Sequence, residues 1–339
     1  LFLLSSKAMA GLWDIDIDMA LLNNYADRMD LSSWAKNPTV FALKAWIFVP
    51  DGNMLLPKQI LTNAEALAWI REARYPYFTF ISTNDFHGQL ETGKTVSSQL
   101  VGGSAFNMTY INENKALNPL GTVLLDAGDM MQGTPISNWL WGESVIDVYN
   151  HMGYQAAVVG NHEFDWGLTR LQERMAQAEF PILAANIFLE DTDTRPAWAI
   201  PTVMLDVKGN QIGIIGVTSK DTPSIVMAGN LAGLEFDEPG PIVEQLAAEL
   251  RANGADIVIV LAHMPDVYNN VVSGEMLTVA VPGVDLIISG HSHSGYAGKI
   301  NNIPIIQQYS SGTAIGVSNL SYDRLYGTIA NANLKVVTT

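Results

Sequence analysis

The chain lacks several features by which common classes of protein are recognised. It has no cysteine, which excludes disulfides and thiolate metal sites, and this absence suits an exported protein. It has 18 Lys and Arg against 34 Asp and Glu, and the formal net charge of −16 opposes binding to DNA, RNA or anionic membranes. No apolar run is long enough to span a bilayer. We therefore expect a small-molecule partner, with no nucleic acid polymer and no membrane span; the oligomeric state stays open.

The composition is otherwise that of a globular protein. Hydrophobic residues make up 48% of 339 residues, enough for one large domain or two ordinary ones with a substantial core. The segment Ala8-Met9-Ala10 has the small-x-small form of a signal cleavage site, and it gives weak support to a periplasmic or extracellular location.

Residues 1–75 differ from the rest of the chain, and we interpret them as an N-terminal extension of unknown role. They contain an acidic, helix-like stretch, an apolar segment and a turn, and Thr62 and Glu65 are spaced as a capping box at a helix start. Three tryptophans of this region are possible substrate contacts, although a packing role is favoured: Trp13, Trp34 and Trp46.

From Tyr77 onward, short apolar runs follow one another at regular intervals. Most of them do not alternate polar and apolar residues, which is typical of strands covered on both faces. The runs are YFTFIS, TVLLDA, AAVVG, FPILAAN, QIGIIGV, DIVIVLA, VDLIIS and IPIIQQ. Helical patterns such as PIVEQLAAELRAN lie between several of them, and Lys208-Gly209-Asn210 predicts a hairpin turn. The pattern predicts an α/β domain with helices outside one or two sheets.

Polar residues follow these predicted strands at the points where the strands end. Five of the six histidines are found there. The strand ends carry Asn84-Asp85-Phe86-His87, Gly128-Asp129, Asn161-His162-Glu163-Phe164-Asp165, His263, and Gly290-His291-Ser292-His293. In sheets of this type the carboxyl ends share one edge, where ligands usually bind.

The spacing of these residues predicts a metal site. In an extended segment, side chains two residues apart point to the same side, so Asp85 and His87, and likewise His291 and His293, would face one centre. Asp129 is placed where a carboxylate can bridge two cations. Imidazole and carboxylate ligands suit Zn²⁺, Mn²⁺, Fe²⁺ or Co²⁺. Seven candidate ligands are too many for one ion with open positions, and they fit two ions about 3.5–4 Å apart.

Five motifs, DFHGQLE, GDMMQGTPISN, GNHEFDWG, LAHMPD and GHSHS, resemble in order those of the calcineurin-like metallophosphoesterases, in particular the branch of 5′-nucleotidases and 2′,3′-cyclic-nucleotide phosphodiesterases. The resemblance covers about Tyr77 to Val336. It implies a four-layer αββα sandwich with two central mixed sheets, in which residues 76–339 are the catalytic domain. We expect the C-terminal nucleotide-binding domain of such nucleotidases to be missing from these residues, either because it was removed or because the protein lacks it, and nucleoside specificity stays open.

The resemblance also implies a role for each motif residue. The first metal would be held by Asp85, His87, Asp129 and His293, and the second by Asp129, Asn161, His263 and His291. His162 would lie beside the substrate without binding metal, and Asp165 would orient its ring. Asn161 and His162 would contact the substrate, and His162 would stabilise the transferring group or protonate the leaving alkoxide.

The implied function is dinuclear-metal-dependent hydrolysis of phosphate esters, most simply nucleotides. Cyclic 2′,3′-nucleotides and nucleotide sugars are alternative substrates for the same metals. A sulfur-compound hydrolase of the related sulfur-oxidation branch, and a non-catalytic surface protein with a vestigial site, are the other two interpretations.

Several neighbouring residues are given no part in the chemistry. His151 is interpreted as structural, Asp126 as a buried, paired carboxylate, and Glu163 points away from its neighbours if the segment is extended. Four large side chains could line the site, although packing is favoured for most of them: Met130, Met131, Trp139 and Trp141.

Overall fold

The protein is described by a computed structural model that covers residues 18–31, 33–44, 50, 52–55, 71–92, 94–96, 98–265, 267–268 and 271–339. The capping box at Thr62 and Glu65, the signal-like segment, Trp13 and Trp46 lie outside the described residues, as does the side chain of Trp34. Within the described residues, no helix is both long and apolar enough to cross a bilayer.

Eighteen strands and seven α-helices are described. The strands are β1 (Tyr77–Thr83), β2 (Lys94–Val96), β3 (Gln99–Val101), β4 (Thr122–Asp126), β5 (Ala156–Val158), β6 (Ile182–Leu183), β7 (Ile187–Leu189), β8 (Thr202–Val207), β9 (Asn210–Thr218), β10 (Leu234–Phe236), β11 (Ile257–Met264), β12 (Val267–Tyr268), β13 (Val271–Val272), β14 (Leu286–His291), β15 (Tyr296–Ile300), β16 (Ile303–Gln307), β17 (Ala314–Asp323) and β18 (Thr328–Thr338). The helices are α1 (Lys36–Lys44), α2 (Ser104–Leu117), α3 (Pro135–Trp139), α4 (Glu143–Met152), α5 (Gly167–Gln177), α6 (Thr222–Ile225) and α7 (Pro239–Ala252).

Two six-stranded mixed sheets form the centre of the molecule. The first has the order β18-β17-β1-β4-β5-β6, and the second has the order β15-β16-β14-β11-β9-β8. Parallel pairing joins β1, β4, β5 and β6 in the first sheet and β9, β11, β14 and β16 in the second. The carboxyl ends of the parallel strands therefore meet at one edge of each sheet.

Three apolar clusters separate four layers. Between the sheets, Phe80 and Leu125 of the first sheet pack in one cluster with Ile214 and Ile259 of the second. The outer face of the first sheet packs against α2, α4 and α5, and the outer face of the second packs against α7. Strand β11 is buried along its whole length because both of its faces are covered. The expected four-layer αββα sandwich is confirmed.

Residues 18–55 contribute a smaller apolar cluster of their own, which includes Leu22, Val40 and Leu55. Residues 71–74 form a helical turn beside the sheets, where Glu72 pairs with Lys208 and Arg74 lies 3.2 Å from Asp323. The division at residues 75 and 76 stays a prediction.

Candidate metal centre

All seven predicted ligands lie at the carboxyl ends of the central strands. Asp85 and His87 follow β1, Asp129 follows β4, and Asn161 follows β5. His263 is the penultimate residue of β11, His291 ends β14 and His293 follows it. Three groups of ionisable side chains each place one ligand atom per residue within 4.8 Å of one another: Asp85, His87 and His293; His87, Asp129 and His162; and Asp129, His263 and His291.

The first cluster consists of Asp85, His87 and His293. The Nε2 atoms of the two histidines are 3.0 Å apart, and Asp85 Oδ1 lies 3.2 Å from His293 Nε2 and 3.9 Å from His87 Nε2. Asp85 is fully buried, whereas the side chain of His293 is 48% exposed. Asp85 therefore lies at the buried end of the cluster and His293 at its exposed end.

The second cluster consists of Asp129, Asn161, His263 and His291. His263 Nε2 lies 3.0 Å from Asp129 Oδ2, 3.2 Å from Asn161 Oδ1 and 3.3 Å from His291 Nδ1. Asn161 Oδ1 is also 2.8 Å from His291 Nδ1. Asp129 and His263 are buried, so the carboxylate and the imidazole meet away from bulk water.

The chemistry of these atoms fits divalent cations. His263 Nδ1 lies 2.7 Å from the carbonyl oxygen of Ala127, and His87 Nδ1 lies 2.9 Å from that of Gln132. A carbonyl only accepts, so each Nδ1 must donate, and the Nε2 atom of each neutral ring presents a lone pair to its cluster. Lone pairs of nitrogen and oxygen thus converge, and a positive charge must lie between them.

Burial and the carboxylate of Asp129 shift the pKa values of three of these histidines. Burial, the largest influence, lowers the pKa of His263, but the charge and hydrogen bond of Asp129 outweigh it and raise the pKa to about 10. Burial also lowers the pKa of His87, and burial together with the charge of His263 lowers the pKa of His291 to about 4. The rings most easily kept neutral, which is the form that binds metal, are therefore His87 and His291.

The backbone of the ligands differs from the extended geometry that the spacing had predicted. Asp85, His87, Asp129, His291 and His293 all have positive φ, between 49° and 80°. This left-handed conformation is uncommon for residues other than glycine. The expectation that each pair lies along an extended segment is wrong. Asp85 and His87 nevertheless face one centre, the first cluster, as expected. His291 joins the second cluster and His293 the first, because the chain turns sharply between them.

His162 and Asp165 form a separate pair beside the clusters. His162 Nδ1 lies 2.7 Å from Asp165 Oδ2, and the side chains are 37% and 28% exposed. The hydrogen bond that His162 Nδ1 donates to Asp165 is the main cause that raises the pKa of His162 to about 9, against a lowering by burial. The rings of His162 and His87 are 5.2 Å apart. Because Asp165 accepts from Nδ1, the Nε2 atom of His162 takes no part in this pair.

Glu163 supports the loops of the site, a role that the sequence did not predict. It lies in a 3₁₀ helix, His162–Phe164, and not in an extended segment. Its buried carboxylate accepts backbone N–H groups from Asp129 (2.9 Å), Met130 (2.8 Å) and Gly160 (2.7 Å). It therefore joins the loop that carries Asp129 to the loop that carries Asn161. The available signal was a glutamate directly after the Asn161-His162 pair that follows a strand end.

The remaining predicted neighbours fall into two kinds. Asp126 is buried and accepts hydrogen bonds from Thr83 Oγ1 at 2.6 Å and from the Gly128 N–H at 2.8 Å, and burial raises its pKa to about 8. Met130 and Met131 are buried in the outer core of the first sheet. Trp139 is 85% exposed and does not belong to a packed face, whereas Trp141 is 44% exposed and its ring contacts that of Trp166.

Comparison with known proteins places this arrangement in a family. A family model described as calcineurin-like phosphoesterase matches residues 78–295. The chain is 30% identical over 273 residues to snake venom 5′-nucleotidase from Gloydius brevicauda, across 72% of this chain and 45% of that protein. It is 28% identical over 283 residues to endonuclease YhcR from Bacillus subtilis (strain 168), across 76% of this chain and 23% of that protein.

A solved structure gives the same result for the fold. The 5′-nucleotidase precursor from Thermus thermophilus superposes with a TM-score of 0.69 at 26% identity, across 78% of this chain and 54% of that chain. This chain thus spans about half or less of the length of these relatives. Because the family model covers more than half of the chain and includes every residue from Asp85 to His293, the chain belongs to the calcineurin-like phosphoesterase family.

Proposed function

We propose that this chain hydrolyses phosphate esters with two divalent cations. Asp85, His87, Asp129 and His293 would hold the first cation, and Asp129, Asn161, His263 and His291 the second. The observation that supports the proposal is the convergence of lone pairs in two adjoining clusters. Asp129 lies close to His87 of the first cluster and to His263 of the second. The ions would be Zn²⁺, Mn²⁺, Fe²⁺ or Co²⁺, the ions that imidazole and carboxylate ligands favour.

Two divalent cations held by these residues would supply polarisation of the phosphoryl oxygens and a more acidic water as nucleophile. His162 then acts from outside the ligand sets. Asp165 holds its Nδ1–H, so Nε2 can hold a proton toward the phosphate and release it to the departing alkoxide. Asn161 and His162 would contact the phosphate, and the raised pKa of His162 keeps its imidazole charged near neutral pH.

The charge of the whole protein is consistent with this mechanism. A formal net charge of −16 repels a phosphate ester at long range. Asp85 and Asp129 bring only two negative charges against four positive ones from two divalent ions, so a loaded centre is locally cationic. Phosphate binding should therefore depend on metal.

The substrate we propose is a small nucleotide, in the manner of a 5′-nucleotidase. The relatives named as 5′-nucleotidases support this choice. Cyclic 2′,3′-nucleotides and nucleotide sugars are the alternatives within the same chemistry. The relative named as an endonuclease raises a polymeric substrate as a second candidate, which the acidity of this chain opposes.

The proposal also includes the domain boundary and the location of the protein. We take residues 76–339 as the catalytic domain and residues 1–75 as an extension. We also place the protein outside the cytoplasm, because one relative is a venom protein and another is called a precursor. Fractionation of the source cells with an antibody to the chain would check the location.

A substrate panel tests the proposal. Purified protein would be given AMP, 2′,3′-cyclic AMP, a nucleotide sugar, bis-p-nitrophenyl phosphate, thiosulfate esters and single-stranded DNA, each with and without a chelator. We expect phosphate release from AMP that the chelator abolishes and added Mn²⁺ or Zn²⁺ restores. Chelator-insensitive turnover, or activity on DNA alone, would overturn it.

A further inference from the structure

Tyr309, which follows β16 at the rim of the first cluster, has an unusual combination of strain and exposure. Its φ is 42°, in the left-handed region that is rare for bulky residues. Its side chain is 48% exposed, so burial of the ring does not compensate the strain. Strained backbone that the surrounding structure maintains is found most often at functional positions.

Hydrogen bonds on both sides hold Tyr309 in place. Asn84 Nδ2 donates to the carbonyl oxygen of Tyr309 at 2.8 Å, and Asn84 Oδ1 accepts from the N–H of Gln308 at 2.9 Å. The N–H of Tyr309 donates to the carbonyl of Ser294 at 3.3 Å. Asn84 precedes the candidate ligand Asp85, and Ser294 follows His293. Both anchors therefore belong to loops that carry ligands of the first cluster.

The ring itself lies against Gly295. A Cβ atom at position 295 would fall 2.6 Å from Cε1 of the Tyr309 ring, so the approach of the ring requires glycine there. One part of the ring is thus packed on the backbone two residues after His293, while about half of the residue stays exposed. An aromatic surface is therefore fixed against the loop that carries His293.

We propose that Tyr309 determines specificity by contacting a planar aromatic group on the leaving alcohol of the substrate. This inference rests on the proposed function. A rigid ring offers an apolar π face at little cost in side-chain entropy, and the stacking of a base on such a ring tolerates any base. The class of substrate is a phosphate monoester whose alcohol carries an aromatic heterocycle.

A matched pair of substrates tests this contact. AMP and ribose 5-phosphate share the same leaving oxygen and sugar, and they differ in the presence of the base. We expect Tyr309→Ala to lower the ratio of kcat/KM for AMP to kcat/KM for ribose 5-phosphate about 10-fold, the size of one lost base–ring contact. Tyr309→Phe should keep the ratio, because the π face remains.

Tyr326→Ala serves as the control. Tyr326 is 71% exposed in the turn between β17 and β18, at the opposite end of the first sheet. Its removal should leave the ratio unchanged. A ratio that Tyr309→Ala does not alter, or that Tyr326→Ala alters equally, would overturn the proposal.

A binding measurement separates this proposal from the proposed hydrolysis. Saturation-transfer NMR with adenosine, which has no phosphate, should show contact with the base protons in the unsubstituted protein and loss of that contact in Tyr309→Ala. If neither phosphate ester is hydrolysed but this contact is present, the hydrolysis fails and the aromatic subsite stands. Absence of contact in the unsubstituted protein contradicts the subsite itself.

Discussion

Five of the seven candidate ligands have a left-handed backbone, and the residue that explains how Asp129 keeps this conformation is Glu163. Its carboxylate binds the N–H groups of Asp129, Met130 and Gly160, which no strand or helix satisfies. The buried carboxylate thus replaces regular secondary structure at the point where the chain must turn sharply. Burial and the charge of Asp129 raise the pKa of Glu163 to about 7.

Removal of the Glu163 carboxylate should destabilise the protein and loosen the second cluster. Glu163→Ala leaves three buried N–H groups without their acceptor, and we expect the free energy of unfolding to fall by about 3 kcal/mol or more. Urea denaturation measures the change. Glu173→Ala, which removes a glutamate 40% exposed on α5, is the control and should change stability little. Equal stability of the two variants would contradict the role of Glu163.

The pair of His162 and Asp165 predicts a titration that can be measured without metal. In chelated protein, NMR of labelled histidine should show His162 titrating near pH 9, and Asp165→Asn should shift its pKa down toward the ordinary value of about 6.5. Because the folded-state pKa is the higher one, the stabilisation from this pair is complete below about pH 6.5. It is lost as the pH rises through about 9. A value near 6.5 in the unsubstituted protein would be the contrary result.

Replacement of His162 separates its role from that of the ligands. His162→Ala should lower kcat about 10²–10⁴-fold, the usual contribution of a general acid, while the metal content stays unchanged. His151→Ala, at an exposed position in the last turn of α4, is the matched control. If His162→Ala loses a metal ion, the residue is a ligand, as its place in a group with His87 and Asp129 would also permit.

At the level of elements, the sequence predicted the parallel core well and the antiparallel edge poorly. Each of the eight apolar runs became a strand of the two sheets, because burial on both faces requires continuous apolar sequence. The hairpin turn at Lys208-Gly209-Asn210 and the helix predicted from PIVEQLAAELRAN are also confirmed. The apolar runs did not include β17 or β18, since their Gly, Ser and Asn residues weaken any strand pattern.

The sequence predicted which edge of the sheets carries the site, but it did not predict the backbone conformation of the candidate ligands. Polar residues after buried strands indicated the shared edge, a consequence of parallel pairing. Spacing alone could not show that Asp85 and His87 would leave the extended conformation, since their turns depend on acceptors far along the chain. The carbonyl oxygens of Gly128 and Asp129 accept the N–H groups of Asp85 and His87. The separation of His291 and His293 between two clusters follows from the sharp turn of the chain between them.

Close packing of the loops after β4 and β5 gives a test at this scale. A Cβ atom at Gly160 would fall 2.5 Å from the backbone nitrogen of Asp129, so Gly160→Ala must displace the carboxylate that both ions would share. We expect metal affinity to fall about 10–100-fold, the usual effect of disturbing the support of a ligand. Gly229→Ala, where a Cβ atom meets nothing within 4 Å, is the control. Calorimetric titration with Zn²⁺ compares them, and equal affinities would show that the loops tolerate the shift.

The whole molecule combines a strongly negative net charge with a site that requires positive charge. The net charge of −16 and the rarity of Lys and Arg leave bound cations as the main source of attraction for a phosphate. The four-layer sandwich makes this possible because it brings the carboxyl ends of both sets of parallel strands to one rim. The fold alone does not set the substrate, which depends on the groups around that rim.

The most direct test of the central claim is the number of metal ions per chain, measured by elemental analysis after saturation with Mn²⁺ or Zn²⁺ and removal of free metal. We predict two ions per chain in the unsubstituted protein. Asp129→Asn should retain neither ion firmly, whereas His293→Ala should retain the ion of the second cluster, because only Asp129 is shared. One ion or none in the unsubstituted protein, or an unchanged content in Asp129→Asn, would contradict a dinuclear centre bridged by Asp129.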